Sequence, residues 1–312
     1  MTAPKAAAGK ARPVWFRFLW IGLIVVALIV VAAIASRAYL NSDGGQSFLD
    51  RYPGESAVPA GTPGGFPWWL QWQHALNFLF ILLLIRSGWM VHSQRRPEAY
   101  WTRNNTGRFK TKKPPTKMSL YLWLHLTIDV LWLVNGIIFG VLLFVSGQWG
   151  RVVPTHWDIF PNAWSAALQY ASFDWPVNEP WTNYNALQVL AYFAIIFLAA
   201  PLAAVTGIRM SPVWRNEWKI SKIYPVTLAR AIHLPVMMVI AAFIVVHVAL
   251  VFSTGILLNL NVMYANTGRG SESWWGLIVF VGVMIVAAAA WVAARPIFLQ
   301  PVASMTGRIT SR

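Results

Sequence analysis

Residues 229–255 read ARAIHLPVMMVIAAFIVVHVALVFSTG. From Ala231 to Gly255 the stretch has no Lys, Arg, Asp or Glu, and it is long enough to cross a bilayer as one helix. It nevertheless carries two imidazoles, His233 and His247. An ionisable side chain inside a membrane span is costly and turns toward the interior of a helix bundle. The two histidines are 14 residues apart. On a helix that is about 21 Å along the axis and about 40° around it, so both lie on one face at different depths. Such a helix needs partners at both depths, supplied by other spans.

Working outward, five further apolar blocks have span length, and the predicted spans are 18–36, 69–90, 119–146, 185–207, 229–258 and 275–293. Pro201 is expected to kink the fourth, because it removes an internal amide bond. The first span follows a basic N-terminus with Lys5, Lys10, Arg12 and Arg17. Ala35-Ser36-Arg37-Ala38 has a weak cleavage-site character, so a signal peptide is the alternative to a retained anchor. Composition agrees with a membrane protein: apolar residues make up 57% of the 312 and charged residues 11%, against about 25% charged in a soluble domain. A water-soluble globular enzyme is thereby excluded. The chain has no Cys, which excludes disulfides, thiolate zinc sites, Cys-held iron–sulfur clusters and c-type haem attachment. The expected fold class is all-α, a polytopic transmembrane helical bundle.

Charge orients the spans. The N-terminus to Arg17 carries +4, residues 92–117 carry +7, residues 209–224 carry +3 and residues 295–312 carry +3. The alternate connections, 37–66, 148–184 and 259–273, carry −1, −2 and 0. All four basic segments fall on one side of a six-span chain, which places both termini in the cytoplasm of a bacterial cell. The basic run GRFKTKKPPTK, residues 107–117, reads as a solvated loop attracted to anionic lipid and is too short for a nucleic-acid site. The 37-residue connection 148–184 holds Trp157, Trp164, Trp175 and Trp181. It is long for an empty link. Its tryptophans are either interfacial anchors or part of a short helix over a site.

Span direction then sets the depth of each histidine. His74 enters from outside and lies in the outer half; His125 enters from inside and lies in the inner half. His233 is inner and His247 outer. The natural pairs are His74 with His247 and His125 with His233. Two haems, each gripped by two imidazoles and stacked across the membrane, satisfy this arrangement. A transporter with polar pathway residues, or a metal site of another kind, also places histidines in spans. One zinc ion shared by His233 and His247 is excluded by their separation of about 21 Å.

Other polar residues are weighed beside them. Arg86 and Arg230, at the inner ends of their spans, either pair with haem propionates or extend to lipid phosphate. Asp129, four residues after His125, is the acid within the predicted spans. It is expected to pair with Arg86 or Arg230 or to orient a buried polar network that Asn135 would join, with a proton route as the alternative. His92 lies at the cytoplasmic boundary. His156 in the outer connection is either an exposed loop residue or a proton-exchange group near a quinone, with Trp157 and Tyr184 as further quinone-side contacts.

Three motifs carry a family resemblance. QWQHALNFLFILLLIRSG around His74, LWLHLTIDVLWLVNG around His125 and the double-histidine stretch quoted first resemble the ligand helices of one family. It is the cytochrome b subunit family of nickel–iron hydrogenases and respiratory formate dehydrogenases, also grouped as bacterial-type cytochrome b561. AAVTGIRMSP resembles that family's Thr-Gly helix terminus. The resemblance spans roughly residues 67–258. It implies two haem b, with His74, His125, His233 and His247 as iron ligands, and electron transfer with a quinone, menaquinone or ubiquinone, as substrate. It also implies a peripheral oxidoreductase partner bearing iron–sulfur clusters and molybdopterin or a nickel–iron centre. On this reading residues 1–66 hold the cytoplasmic N-terminus, an extra helix and an outer loop. Residues 67–258 hold the di-haem cytochrome b core with its outer loop 148–184, and residues 259–312 a sixth helix and cytoplasmic tail. The extra first helix reverses the core, so a partner docked beside His125 and His233 is cytosolic and the quinone end lies near His74 and His247. The competing functions are a haem-free membrane transporter, which would show an inverted repeat that is absent here, and a structural anchor.

Overall fold

Among the described residues six helices are long and apolar enough to cross a membrane, and the chain is an all-α polytopic bundle. The computed structural model describes residues 14–106, 110–112, 114–175, 183–267 and 272–311. Lys5, Lys10, Arg12, Trp181 and part of the basic run 107–117 lie outside the described residues. The chain divides into two units, one from the described residues of 1–57, 156–178 and 185–188, the other from those of 58–155, 179–184 and 189–312.

In the first unit, α1 (Val14–Leu40) leads to α2 (Asp43–Arg51). Leu28, Val31 and Ile34 on α1 are exposed, which suits a helix bathed in lipid. Ser42 caps α2 by accepting from the Gly45 amide. The unit also contains α5 (Ile159–Ala171), a short helix within the long connection 148–184. It buries Ile159, Ala163 and Ala166, and its Asn162 accepts a hydrogen bond from the Gly54 amide at 3.0 Å. Arg37 Nε donates to the Ser172 carbonyl at 2.7 Å.

The second unit is built on α3 (Trp68–Ser93) and α4 (Leu120–Val145). Next comes α6 (Ala186–Phe193), which passes through a π-turn at Ala194–Ala199 into α7 (Ala200–Met210). After the short α8 (Ile220–Ile223) come α9 (Val226–Ser253), α10 (Ile256–Leu260), α11 (Trp275–Ala293) and α12 (Pro296–Ser304). Its core includes Ile81, Leu84, Leu124, Ile128, Ala203 and Ile240, drawn from α3, α4, α7 and α9. Between spans the association comes from close packing and internal hydrogen bonds, since lipid is as apolar as the side chains. The outer face of α4 shows Val130, Val134, Ile137 and Val141, all exposed at helical spacing. That stripe meets lipid.

One departure from the sequence reading concerns the spans. The fifth was expected to run to residue 258, but α9 stops at Ser253 and Gly255 adopts φ of +117°, a left-handed turn that breaks it. The chain restarts as α10 and a second π-turn at Asn261–Ala265. At Pro201 the missing amide leaves the Phe197 carbonyl without its helical partner. The π-turn directly upstream absorbs that defect inside a continuous span, Ala186–Met210.

Upstream of the run 107–117, the basic connection 92–117 contributes a strand that the sequence reading did not expect. Its residues Ala99–Arg103 form β1, which pairs with β2 (Met118–Ser119) and with β3 (Gly307–Ser311) from the C-terminal segment, in the order β2-β1-β3. All pairs are antiparallel, with Trp101 opposite Ile309. Trp101 is buried and donates through Nε1 to the Ala303 carbonyl at 3.0 Å. Local pattern does not reveal a strand whose partner lies some 200 residues away. Residues 148–151 form a 3-10 turn that buries Arg151.

Candidate functional site

Four helix-borne imidazoles meet in two pairs. On α3 and α9, the rings of His74 and His247 have centroids 6.3 Å apart with planes at 53°. On α4 and α9, the rings of His125 and His233 lie 6.5 Å apart at 83°. All four residues are partly buried. Period and depth produce this: α9 presents both of its histidines to one side, and α3 and α4 run past it in opposite senses.

Hydroxyl groups orient three of the rings. His125 Nδ1 lies 2.9 Å from Ser87 Oγ, and His233 Nδ1 lies 2.8 Å from Thr206 Oγ1. Each hydroxyl gives its own proton to a backbone carbonyl one turn back, Ser87 to Leu83 and Thr206 to Leu202, both at 2.7 Å. The oxygen therefore accepts from Nδ1–H. That fixes the tautomer and leaves Nε2 as the bare ring nitrogen, free to bind a metal. His74 Nδ1 lies 3.2 Å from Tyr264 Oη. His247 is stacked on Phe243, with centroids 5.6 Å apart and planes 14° apart, and Tyr192 stands 6.4 Å away.

Glycine permits the close approach at the second pair. A Cβ on Gly88 would stand 3.1 Å from His125 Cε1, and one on Gly207 would stand 3.6 Å from His233 Cε1. Each of these glycines directly follows the hydroxyl residue that holds the same ring.

The remaining sequence candidates are placed as follows. Arg86 lies with its guanidinium 4.6 Å over the Trp291 ring. Arg230 is exposed near the start of α9. Asp129 was expected to pair with one of these arginines; among the described residues it pairs with neither. Its Oδ2 lies 3.8 Å from His125 Nε2, because the spacing of four residues on α4 aligns the two side chains. His92 is exposed at the end of α3, with its ring 6.1 Å from that of Trp89. His156 and Trp157 are exposed and belong to the first unit. Tyr184 belongs to the second, where its ring lies 5.0 Å from Tyr192 and 6.2 Å from Phe66.

Sequence reasoning missed Ser87, Tyr264 and Arg151, and gave Thr206 only as part of a Thr-Gly helix terminus. A signal for Ser87 and Thr206 was present: Ser87-Gly88 and Thr206-Gly207 are small polar dipeptides within apolar helices. Arg151 is 2% exposed. It donates through Nη1 to the Gly65 carbonyl at 2.6 Å and lies 4.9 Å over Phe66 and 5.1 Å over Tyr184. Burial pulls its guanidinium below the usual arginine range, partly offset by Tyr184. Burial pushes the Tyr184 phenol up to about 12, against the pull of Arg151. Burial alone pushes Tyr264 up to about 12.

Each imidazole pair could hold the iron of a b-type haem between its two rings. Imidazole nitrogens about 2 Å from a shared metal put two ring centres roughly 6 Å apart, which is the separation in both pairs. The hydroxyls at Nδ1 are the outer hydrogen bonds that metal-binding imidazoles use to fix ring orientation. A family model described as prokaryotic cytochrome b561 matches residues 65–265, a segment containing all four histidines. No curated protein and no solved structure matches the chain.

Proposed function

The chain belongs to the prokaryotic cytochrome b561 family, membrane proteins that carry electrons on b-type haem, and on that premise we propose that it links the quinone pool to a peripheral redox enzyme through two such haems. His74 and His247 hold one and His125 and His233 the other. The observation that carries this reading is the matched pairing: two imidazole couples, 6.3 and 6.5 Å between ring centres, at the two levels set by α9. When bound, b-type haem supplies one-electron oxidation and reduction of iron at each level. The chain's own residues ligate, orient and shield. Ser87 and Thr206 hold the His125 and His233 rings in the Nδ1–H form, and Tyr264 engages His74. Arg86 and Arg230 are the propionate partners.

The quinone end lies beside His247, where Tyr192 and Tyr184 continue the aromatic contacts outward. The termini are cytoplasmic, and so is the partner, an iron–sulfur oxidoreductase subunit with molybdopterin or nickel–iron chemistry behind it. The basic connection 92–117, at +7, steers it to the His125 and His233 end.

The test is reduction by a short-chain quinol. Added to the purified chain in lipid nanodiscs, the quinol should reduce a measurable part of the b-type absorption that dithionite reduces. Haem that dithionite reduces and the quinol leaves entirely oxidised would overturn the quinone link.

A further inference from the structure

Ser87 and Thr206 repeat one arrangement on two helices. Both are completely buried, at 0% exposure, so water cannot replace their partners. In each, the proton of Nδ1 goes to the hydroxyl oxygen and the proton of the hydroxyl goes to a main-chain carbonyl. Hydrogen bonds in series polarise one another. An imidazole that donates through such a series is a more basic ligand at its other nitrogen. Both rings of the His125–His233 pair have this support.

The His74–His247 pair is built differently. Its one hydrogen bond, between His74 Nδ1 and Tyr264 Oη, is longer at 3.2 Å, and among the described residues no second bond from the phenol to a main-chain carbonyl fixes its direction. His247 makes no hydrogen bond among the described residues and rests against Phe243. Aromatic rings of Tyr192 and Tyr264 complete that surrounding. The carboxylate of Asp129, 3.8 Å from His125 Nε2, adds to the contrast from the other side.

We infer that the two hydroxyl relays make the sites electronically unequal, with the haem at His125 and His233 the lower in midpoint potential. This rests on the two-haem reading above. More basic axial imidazoles and a nearby carboxylate favour ferric iron, whereas aromatic, unrelayed ligands favour ferrous iron. Ser87 and Thr206 are positioning residues: they act through the ligands. The consequence is direction. With both haems bound, electron transfer from the His125–His233 site to the His74–His247 site would be the downhill direction, one electron moving with no proton or ligand exchanged. In the proposed topology that is the path from a cytosolic electron donor to quinone at the exported face.

Potentiometric titration of the purified chain, followed at the b-type absorption band, tests the ordering. The wild type should resolve two components. Thr206→Val keeps the side-chain shape and removes the hydroxyl; Ser87→Ala removes the other. Each should raise the lower component, with about a tenfold fall in its ferric-to-ferrous ratio at fixed ambient potential, about 59 mV for one electron. The upper component should stay in place. Thr206→Ser, which keeps the hydroxyl, should retain the wild-type value, a rescue that a purely structural role would not require. Movement of the upper component instead, or two bound haems with both potentials unchanged in Thr206→Val and Ser87→Ala, would overturn the ordering while leaving the two-haem reading intact. A wild-type chain without haem would overturn both.

Discussion

Gly88→Ala probes the site without replacing a ligand. The new Cβ would stand 3.1 Å from His125 Cε1 and 3.6 Å from its Nδ1. Ordinary carbon contacts lie at about 3.5–4.0 Å, so the ring must retreat by roughly 0.4 Å. The ring is tied at 2.9 Å to Ser87, the adjacent residue on the same helix. A retreat of that size takes the bond to about 3.2 Å or beyond, the edge of useful geometry. Overpacking of this kind costs about 1–3 kcal/mol. Replacing glycine by alanine in a helix returns about 1 kcal/mol. The two nearly offset each other in the stability of the fold, so the loss concentrates at the His125–His233 site. Each 1.4 kcal/mol there is about tenfold in affinity. The assay is competitive transfer of haem from the chain to an apo-globin, read beside the thermal midpoint. Gly136→Ala is the control, because a Cβ there meets nothing within 4 Å. Gly88→Ala should lose one of two haems about tenfold or more faster, with a thermal midpoint close to wild type, while Gly136→Ala keeps both. If Gly88→Ala retained both haems as tightly as the wild type, the close approach of α3 to a ligand ring would have no bearing on cofactor binding.

Three further outcomes are expected. Arg151→Ala removes a charge-assisted hydrogen bond to Gly65 and the cation over two rings, and should destabilise the chain by about 2–4 kcal/mol; an unchanged thermal midpoint in detergent would contradict it. Tyr184 holds its proton up to about 12 in the fold and to about 10 when unfolded, so its contribution is intact below pH 10 and is lost as pH rises toward 12. Stability should fall across that window by no more than about 2 kcal/mol, since the side chain is partly exposed. Tyr184→Phe should flatten the alkaline limb of a denaturation-versus-pH profile, and a limb of unchanged slope would remove the tyrosine from it. Arg86→Gln takes a cation from above Trp291 and from the proposed propionate position. It should speed haem loss about tenfold, a single charge-assisted bond's worth, and a wild-type dissociation rate would free Arg86 of that role.

Much of this architecture is legible in the sequence because lipid simplifies the problem. Unbroken apolar stretches of fixed length mark the spans, and the basic connections separate cleanly from the others. A helix of 3.6 residues per turn puts His233 and His247 on one face without further knowledge. What stays hidden depends on rotation and on distant partners. Ser87 faces His125 only because α3 and α4 pack at one angle and one register; nothing in the spacing of residues 87 and 125 reveals it. Tyr264 reaches His74 through the break at Gly255 and the π-turn beyond it, a path that a straight fifth span conceals. Asp129 was read as an arginine partner or a member of a buried polar network, and α4 itself brings it to His125, a nearer solution than a contact between helices. The sheet is the extreme case, since the partner of Ala99–Arg103 is the segment Gly307–Ser311.

The most direct measurement is a pyridine haemochrome count on the purified chain and on His247→Ala. Two b-type haems per wild-type chain, and one in the variant with the His125–His233 signal unchanged, are the results expected if each imidazole couple on α9 holds its own iron. A wild-type chain carrying none, or a variant that still carries two, would contradict the assignment.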